Sequence, residues 1–279
     1  MTIKEMTKGQ NDMENEFWAK LNNREECGIP CFGGEEDGDC FDQADFNKMV
    51  NERFPNSLKS DSLLNNIASR HLLDEIISNE EYVIDLACGP GMGLIPQVKQ
   101  LKLDFPCLAT DANLTLLKEW KAYLENDLGM INIDFAQFSL FDIPIKNDSV
   151  KAYSSFIGIS STRNGSAGYD KALSEIYRTL VPGGKLYTIE TEWTDIPAIL
   201  DVFDKMNQKP WPVFLEKQKS WHDRFIDNGF EIEYEEVFEY HNMTENDNEL
   251  GAAAKELGIK IGQKIIAFIV SKCYKNDKI

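Results

Sequence analysis

The sequence has no apolar run approaching the length of a bilayer span, which excludes a membrane-crossing helix and leaves a chain that folds in water. Cations are scarce: 29 Lys and Arg stand against 47 Asp and Glu, a formal charge of −18, with no basic stripe anywhere along the chain. A field of that sign repels phosphate backbones, so a nucleic-acid partner is not expected. The first residues, "MTIKEMTKGQNDMENEFW", lack a basic start, an apolar stretch and a small-residue cleavage site, which predicts a cytoplasmic protein without a secretory signal. The six cysteines are then read as thiols, and Cys88, Cys107 and Cys273 lie in or beside apolar runs where a small buried hydrophobe is expected. Histidine is rarer still, with three in 279 residues, and none is placed as a catalytic base. His71 lies on an apolar helical stripe, His222 on a helix away from the strand ends, and His241 follows a strand.

Two regions differ in texture. Residues 1–60 are polar and acidic, and are expected to form an N-terminal arm and cap, partly helical. Within them, Glu25 to Asp45 carries eight acids, four glycines and no Lys or Arg, which predicts a loop. Residues 61–279 are expected to form the main domain. Its first helix follows Ser60 or Asp61 as N-cap, with Leu63, Leu64, Ile67, Ala68, His71 and Leu72 on one stripe.

From there short apolar runs alternate with helical stretches. Strands are read at "YVIDLA", "FPCLATD", "INIDFAQFS", "SVKAYSSFIGI", "KLYTIETEW", "FEIEYEEVFEY" and "QKIIAFIVSK". Helices are read at "GLIPQVKQL", "NLTLLKEWKAYLEND", "YDKALSEIYRTL", closed by Val181-Pro182-Gly183-Gly184, and "FLEKQKSWHDRFIDNGF". This alternation implies right-handed crossovers and a mostly parallel sheet with helices on both faces. The last two strands have no helix read between them, which points to an antiparallel edge.

In such a sheet ligands bind beyond the carboxyl ends of the strands, which directs attention to "VIDLACGPGMG" after the first one. A phosphate-cradling loop needs G-x-x-x-x-G-K-[ST], and Leu94 follows Gly89 by five residues with no lysine before Lys99. A dinucleotide fingerprint fails as well, because Leu94 stands at its third glycine and Asp85 would face a pyrophosphate. A carboxylate before a tight glycine turn suits a ligand bearing ammonium and sulfonium groups, such as S-adenosylmethionine. Asp111, at the end of the second strand, is placed to accept hydrogen bonds from a ribose diol.

These residues resemble the class I S-adenosylmethionine-dependent methyltransferases over roughly residues 62–272. "VIDLACGPGMG" is similar to D-x-G-x-G-x-G, "TDAN" to the second motif, "FSLFDIPIKNDSVKAYSSF" to D-x-x-x-L-P-F-x-x-x-x-F-D, and "ALSEIYRTLVPGGKLYTIE" to A-L-x-E-x-x-R-V-L-K-P-G-G. The resemblance implies seven strands with the last antiparallel. It implies that Asp85, Ala87, Gly89 and Gly91 hold the methionine end of the cofactor, that Asp111 takes the ribose hydroxyls and that Ala112 lies against the adenine. Ser139 and Leu140 would reach the adenine edge, and Ser155 and Phe156 would border the sulfonium and the acceptor. Ala87 departs from the family glycine, and a left-handed backbone there would strain alanine by about 1 kcal/mol. Ser139 replaces an acid.

The fourth strand ends in Ser154-Ser155-Phe156-Ile157 rather than [DN]-P-P-[YFW], which disfavours methylation of nucleic-acid bases and amide nitrogens. No paired-glutamate loop supports arginine methylation. A small organic acceptor remains, methylated by in-line positioning without an assigned catalytic residue. Trp18, Arg163 and Trp193 are candidates to line its pocket, with Trp211 nearby, and Glu190 and Glu192 flank the end of the fifth strand. Two alternatives stay open: a non-catalytic cofactor-binding regulator, and a metal- or metalloid-linked methyltransferase using Cys27, Cys31 and Cys40, although no metal site is assigned.

Overall fold

A computed structural model describes residues 24–32, 46–47, 67–89, 95–102, 104–129, 132–162, 165–243 and 249–273. Among these residues the chain builds one nine-stranded sheet. Five parallel strands form its centre: β3 (Val83–Asp85), β4 (Cys107–Asp111), β5 (Ile133–Gln137), β6 (Val150–Phe156) and β7 (Leu180–Trp193). Their near-continuous burial follows from helices covering both faces, which leaves no solvated side for polar alternation. From β3 the chain steps outward through β4 to β5, then returns to pair β6 on the other side of β3. The topological switch point therefore lies between β3 and β6, where Asp85 pairs in register with Ser154.

The last two strands, β8 (Phe230–Asn242) and β9 (Gly262–Lys272), close the sheet with β9 inserted antiparallel between β7 and β8. All seven strands read from the sequence are present. Two more come from the acidic arm, where β1 (Arg24–Glu26) and β2 (Ile29–Cys31) form a hairpin. The loop expected from Glu25 onward is corrected here. Cys27 and Gly28 both take positive φ, 53° and 74°, the two-residue turn that matches strand twist. Glycine at the second turn position argued against a helix, yet it favours a hairpin. Strand β2 runs parallel to β5, with Cys31 opposite Gln137, and Lys118 pairs with Glu26.

On one face of the sheet lie α1 (Ile67–Asn79), α2 (Ile95–Leu101) and α3 (Leu114–Asn126), enclosing a core that includes Leu72, Val98, Phe105 and Trp120. Helix α3 starts at Asn113, whose side chain accepts from Leu116 N at 3.0 Å. The other face carries α4 (Gly165–Thr179), α5 (Ile196–Lys205), α6 (Pro212–Leu215), α7 (Trp221–Asp227) and α8 (Glu249–Glu256). Their core includes Tyr153, Leu173, Phe225 and Phe268.

The helix expected over "FLEKQKSWHDRFIDNGF" is two pieces, because Ser220 caps a fresh start at α7 by accepting from Asp223 N. Helix α8, rich in alanine, fills the connection in which no helix was read, but β8 and β9 remain antiparallel around it. The strand after α4 begins directly at Leu180, ahead of the expected Pro182-Gly183-Gly184 closure.

Candidate functional site: a carboxylate pair at the switch point

The expected cofactor residues come from separate strands and meet at the carboxyl edge of the sheet. Asp85 ends β3 and is 0% exposed. One of its oxygens, Oδ1, accepts a 2.6 Å hydrogen bond from Ser154 Oγ on β6. The other, Oδ2, is buried without a hydrogen-bond partner among the described residues. Burial pushes the Asp85 carboxyl up to about 8; the Ser154 bond works against that, and the nearby Asp111 adds to it. A buried acceptor left unmet costs about 1–3 kcal/mol, so such a group in a cleft signals a partner that is not part of the chain.

The loop after Asp85 is fixed by its neighbours. Cys88 N donates to Thr110 O at 2.8 Å, and Thr110 Oγ1 donates back to Asp85 O at 2.8 Å. Gly89 N donates to Asp111 Oδ2 at 2.9 Å, and Asn113 N donates to Asp111 Oδ1 at 2.9 Å. Asp111 thus tethers the glycine loop and the start of α3 through backbone donors at Gly89 and Asn113, with a further backbone bond from Ala112. Burial raises its carboxyl pKa despite these backbone bonds. Trp120 Nε1 donates to Gly89 O at 3.2 Å from α3.

Ala87 takes φ 47°, the left-handed conformation its family glycine would adopt without strain. Gly89, at φ 57°, would have open space around a Cβ, so it is required for its conformation and not for close packing. Gly158 shows the reverse: a Cβ there would lie 2.8 Å from Leu86 O, so the turn after β6 can press against the loop only as glycine.

Among the remaining expected cofactor residues, Ala112 O accepts from Gln137 Nε2 at 3.0 Å, which ties the ends of β4 and β5. Ser139 Oγ accepts from Phe141 N at 3.2 Å, and Leu140 is buried in the second core. Ser155 is buried, its Oγ without a hydrogen-bond partner among the described residues, and Phe156 packs on the first core. Gly91 lies outside the described residues, as do Trp18, Arg163 and Cys40. Cys27 is exposed on the hairpin turn, whereas Cys31 is buried and its Sγ donates to Ile29 O at 3.3 Å. No cluster of three or more metal-ligating side chains occurs among the described residues.

On the acceptor side, Glu190 and Glu192 lie near the end of β7, as read from the sequence, and both are held by hydrogen bonds from the protein. Glu190 is 0% exposed; its Oε2 accepts from Ser160 N at 2.9 Å and its Oε1 from Thr188 Oγ1 at 2.7 Å. Burial lifts its carboxyl to about 7 against those bonds. Glu192 accepts from Trp221 N at 2.7 Å and from Lys264 Nζ at 3.3 Å. Trp193 sits edge-on to Phe214 at 5.2 Å, and Trp211 stacks on Phe214 at 5.4 Å. These rings form an aromatic layer over the sheet end.

Sequence reading missed Ser154, Trp120, Gly158 and Gln137. Only Trp120 carried a signal, its place on the apolar stripe of α3; Ser154 and Gln137 act through strand register, and Gly158 through the close approach of the turn after β6 to the loop. His71 packs tilted against Tyr234, with ring centroids 4.4 Å apart, and His222 pairs with Glu235, both away from the carboxylate pair.

A mostly parallel sheet of order β5-β4-β3-β6-β7-β9-β8, with an acid at its switch point and a second acid at the next strand end, defines a class I S-adenosylmethionine-dependent methyltransferase. Solved structures of that architecture superpose on it. They include the MccD protein, with TM-score 0.53, 17% identity and 74% of this chain on 98% of that one. Another is geranyl diphosphate methyltransferase in complex with S-adenosylmethionine, with TM-score 0.52, 12% identity, 84% and 93%. More specifically, the chain belongs to the ubiE/COQ5 methyltransferase family, whose model matches residues 64–217.

Among named relatives, the ubiquinone/menaquinone biosynthesis C-methyltransferase of Brucella canis is 31% identical over 29% of each chain. The demethylmenaquinone methyltransferase of Lactiplantibacillus plantarum is 25% identical over 50% of this chain and 56% of its own. The chain therefore spans less than two thirds of either relative. The site fits S-adenosylmethionine, the family's cofactor: an unmet buried carboxylate oxygen suits a cation, and no lysine or arginine is bonded to either Asp85 or Asp111 among the described residues.

Proposed function

We propose that the protein transfers the methyl group of S-adenosylmethionine to a small-molecule acceptor, mainly by holding the reacting atoms in line. The observation that carries this reading is the unmet Oδ2 of Asp85 at the switch point, beside an Asp111 that already orders the glycine loop. When bound, the cofactor supplies an electrophilic methyl group on a sulfonium sulfur.

Asp85, with Ala87, Gly89 and Gly91, holds the cationic amino-acid end, and its carboxylate is worth most there because burial removes competing water. Asp111 accepts from the ribose hydroxyls with its remaining lone pairs, while Ala112, Ser139 and Leu140 border the adenine. Ser155 and Phe156, at the end of β6, would border the transferring carbon. The chain thereby converts a two-body displacement into an oriented one, the kind of positioning that supplies about 7–11 kcal/mol where alignment is good. No side chain is assigned as base, because an acceptor that arrives as an amine, a thiolate or an already ionised ring needs none. Glu190 shapes the acceptor side by fixing the turn at Ser160, and Trp18, Arg163 and Trp193 are the candidates to contact the acceptor.

Charge supports a small, non-nucleic-acid acceptor, since a formal charge of −18 disfavours polyphosphates. The names of the Brucella and Lactiplantibacillus relatives make demethylmenaquinone the first acceptor to try. Calorimetry with S-adenosylmethionine and S-adenosylhomocysteine, followed by transfer of a labelled methyl group to demethylmenaquinone and to a pool of cell metabolites, tests the reading. Binding of both cofactor forms and label in a small molecule are expected. Absence of binding by either at millimolar concentration would overturn it.

A further inference from the structure

Phe46 comes from the N-terminal arm, ahead of the residues 64–217 that the family model matches, yet it is only 4% exposed. Its ring packs edge-on to Trp120, with centroids 5.2 Å apart at an interplanar angle of 80°, and to Tyr123 at 6.3 Å and 76°. Both partners belong to α3. Trp120 is buried, and its one polar side-chain atom, Nε1, donates to Gly89 O at 3.2 Å. The indole makes that bond in a single orientation, and the edge-to-face contact with Phe46 favours it.

The arm takes a second hold on the same region. After β2, Phe32 N donates to Gln137 O at 2.9 Å, and Gln137 Nε2 donates to Ala112 O at 3.0 Å. The hairpin that leads into this contact is fastened to α3 as well. Glu26 pairs with Lys118, and a Cβ on Gly28 would lie 3.2 Å from Lys121 Nζ.

The two holds fall on either side of Asp111. Gly89 N donates to Asp111 Oδ2 at 2.9 Å, and Ala112, next to Asp111 in the chain, gives the same carboxylate a backbone bond. Trp120 sets Gly89 from one side and Gln137 sets Ala112 from the other, with the expected ribose acid between them. A carboxylate oriented before the ligand arrives binds it better than a mobile one, because less ordering remains to be done.

We propose that the N-terminal arm is a working part of the cofactor site, with Phe46 as a positioning residue that acts through Trp120 on Gly89 and so on the carboxylate of Asp111. The identity of the ligand as S-adenosylmethionine rests on the methyl-transfer reading, whereas the coupling of Phe46 to Gly89 does not. Because the effect of Phe46 travels through the indole, it matters for cofactor affinity only while Trp120 holds Gly89.

S-adenosylhomocysteine is titrated by calorimetry into the full chain, Phe46→Leu, Trp120→Phe and the double variant, with thermal melting as the check on folding. Phe46→Leu keeps an apolar side chain, and Trp120→Phe keeps a ring while removing the donor to Gly89. Each single variant should weaken binding about fivefold, within the weight of one neutral hydrogen bond or one aromatic pair. The double variant should bind within about twofold of Trp120→Phe alone, because both changes act on one contact. Hydrogen exchange in the cofactor-free protein gives a second readout. Phe46→Leu should speed exchange of the Gly89 amide about fivefold while the amides of Leu186 and Val270, in β7 and β9, keep their rates; a general loosening would speed all three alike. The proposal is overturned if the Gly89 amide gains no more than those two. It is equally overturned if Phe46→Leu binds as tightly as the unsubstituted protein, or loses the same affinity with and without Trp120. Failure of the unsubstituted chain to bind S-adenosylhomocysteine would count against methyl transfer. The exchange of Gly89 needs neither the cofactor nor the Trp120 variant, so it then decides the coupling by itself.

Discussion

Asp85 and Glu190 are carboxylates sealed from solvent at the same edge of the same sheet, and their surroundings treat them oppositely. Both oxygens of Glu190 meet donors from the protein, Ser160 N and Thr188 Oγ1, whereas among the described residues Asp85 has one bond from Ser154 and one oxygen with none. Burial raises both pKa values, to about 7 and about 8. The difference teaches where binding energy is kept in reserve. A satisfied buried acid fixes the backbone around it; an unsatisfied one awaits a donor from outside the chain.

Replacing Asp85 by Asn should sharpen that contrast most. Loss of a buried charge toward the cationic end of the cofactor is expected to weaken S-adenosylmethionine binding about 100-fold, the upper end for a charge-assisted hydrogen bond. Glu190→Gln should leave cofactor affinity nearly unchanged and raise the KM of the acceptor through the turn at Ser160. Equal losses from both variants, measured by calorimetry, would erase the distinction.

Asp111→Ala should come next, weakening cofactor binding by about 1.5–3 kcal/mol if its carboxylate meets the ribose. Because Asp111 also tethers Gly89 N, Asp111→Asn separates the two roles: its amide oxygen keeps one acceptor, so part of the affinity returns. An unchanged affinity in the alanine variant contradicts the ribose assignment.

Stability against pH reads the same pair in the cofactor-free protein. Each folded-state pKa lies above the unfolded value, so the protonated form is favoured in the fold. This stability is fully present below about pH 4 and is lost as pH rises through about 7 for Glu190 and about 8 for Asp85. Melting temperatures should therefore carry a falling contribution between pH 5 and 8 that Asp85→Asn and Glu190→Gln each flatten. A wild-type profile that parallels both variants would refute it.

The smallest effect concerns Ala87. With φ at 47°, Ala87→Gly should stabilise the protein by about 0.5–1 kcal/mol by relieving left-handed strain. Chemical denaturation measures it, and a loss of stability would show that the methyl group contributes packing that outweighs the strain.

The strands themselves, in their succession along the chain, and the carboxylates at their ends were legible in the sequence because both are local. "VIDLACGPG" and "CLATD" each put an acid at the end of an apolar run, and the left-handed backbone at Ala87 follows from the glycine it replaces. Ser154 was not legible as the partner of Asp85, since 69 residues separate them and only the β3–β6 register joins them. The burial of Glu190 was not legible, because an acid near a strand end reads the same whether solvated or buried. The hairpin at Arg24–Cys31 was hidden by an acidic, glycine-rich composition whose decisive feature is one Cys-Gly pair.

The central claim is that the unmet oxygen of Asp85 receives the cationic cofactor. Titration of S-adenosylmethionine at pH 7 in buffers of different ionisation enthalpy tests it directly, by comparing protons released in the wild type and in Asp85→Asn. With its carboxyl at about 8, Asp85 is mostly protonated before binding and must ionise to meet a cation. The account predicts that the wild type releases most of one proton more than the variant and binds more tightly as pH rises towards 8. Equal proton release and equal affinity in the two proteins would contradict it.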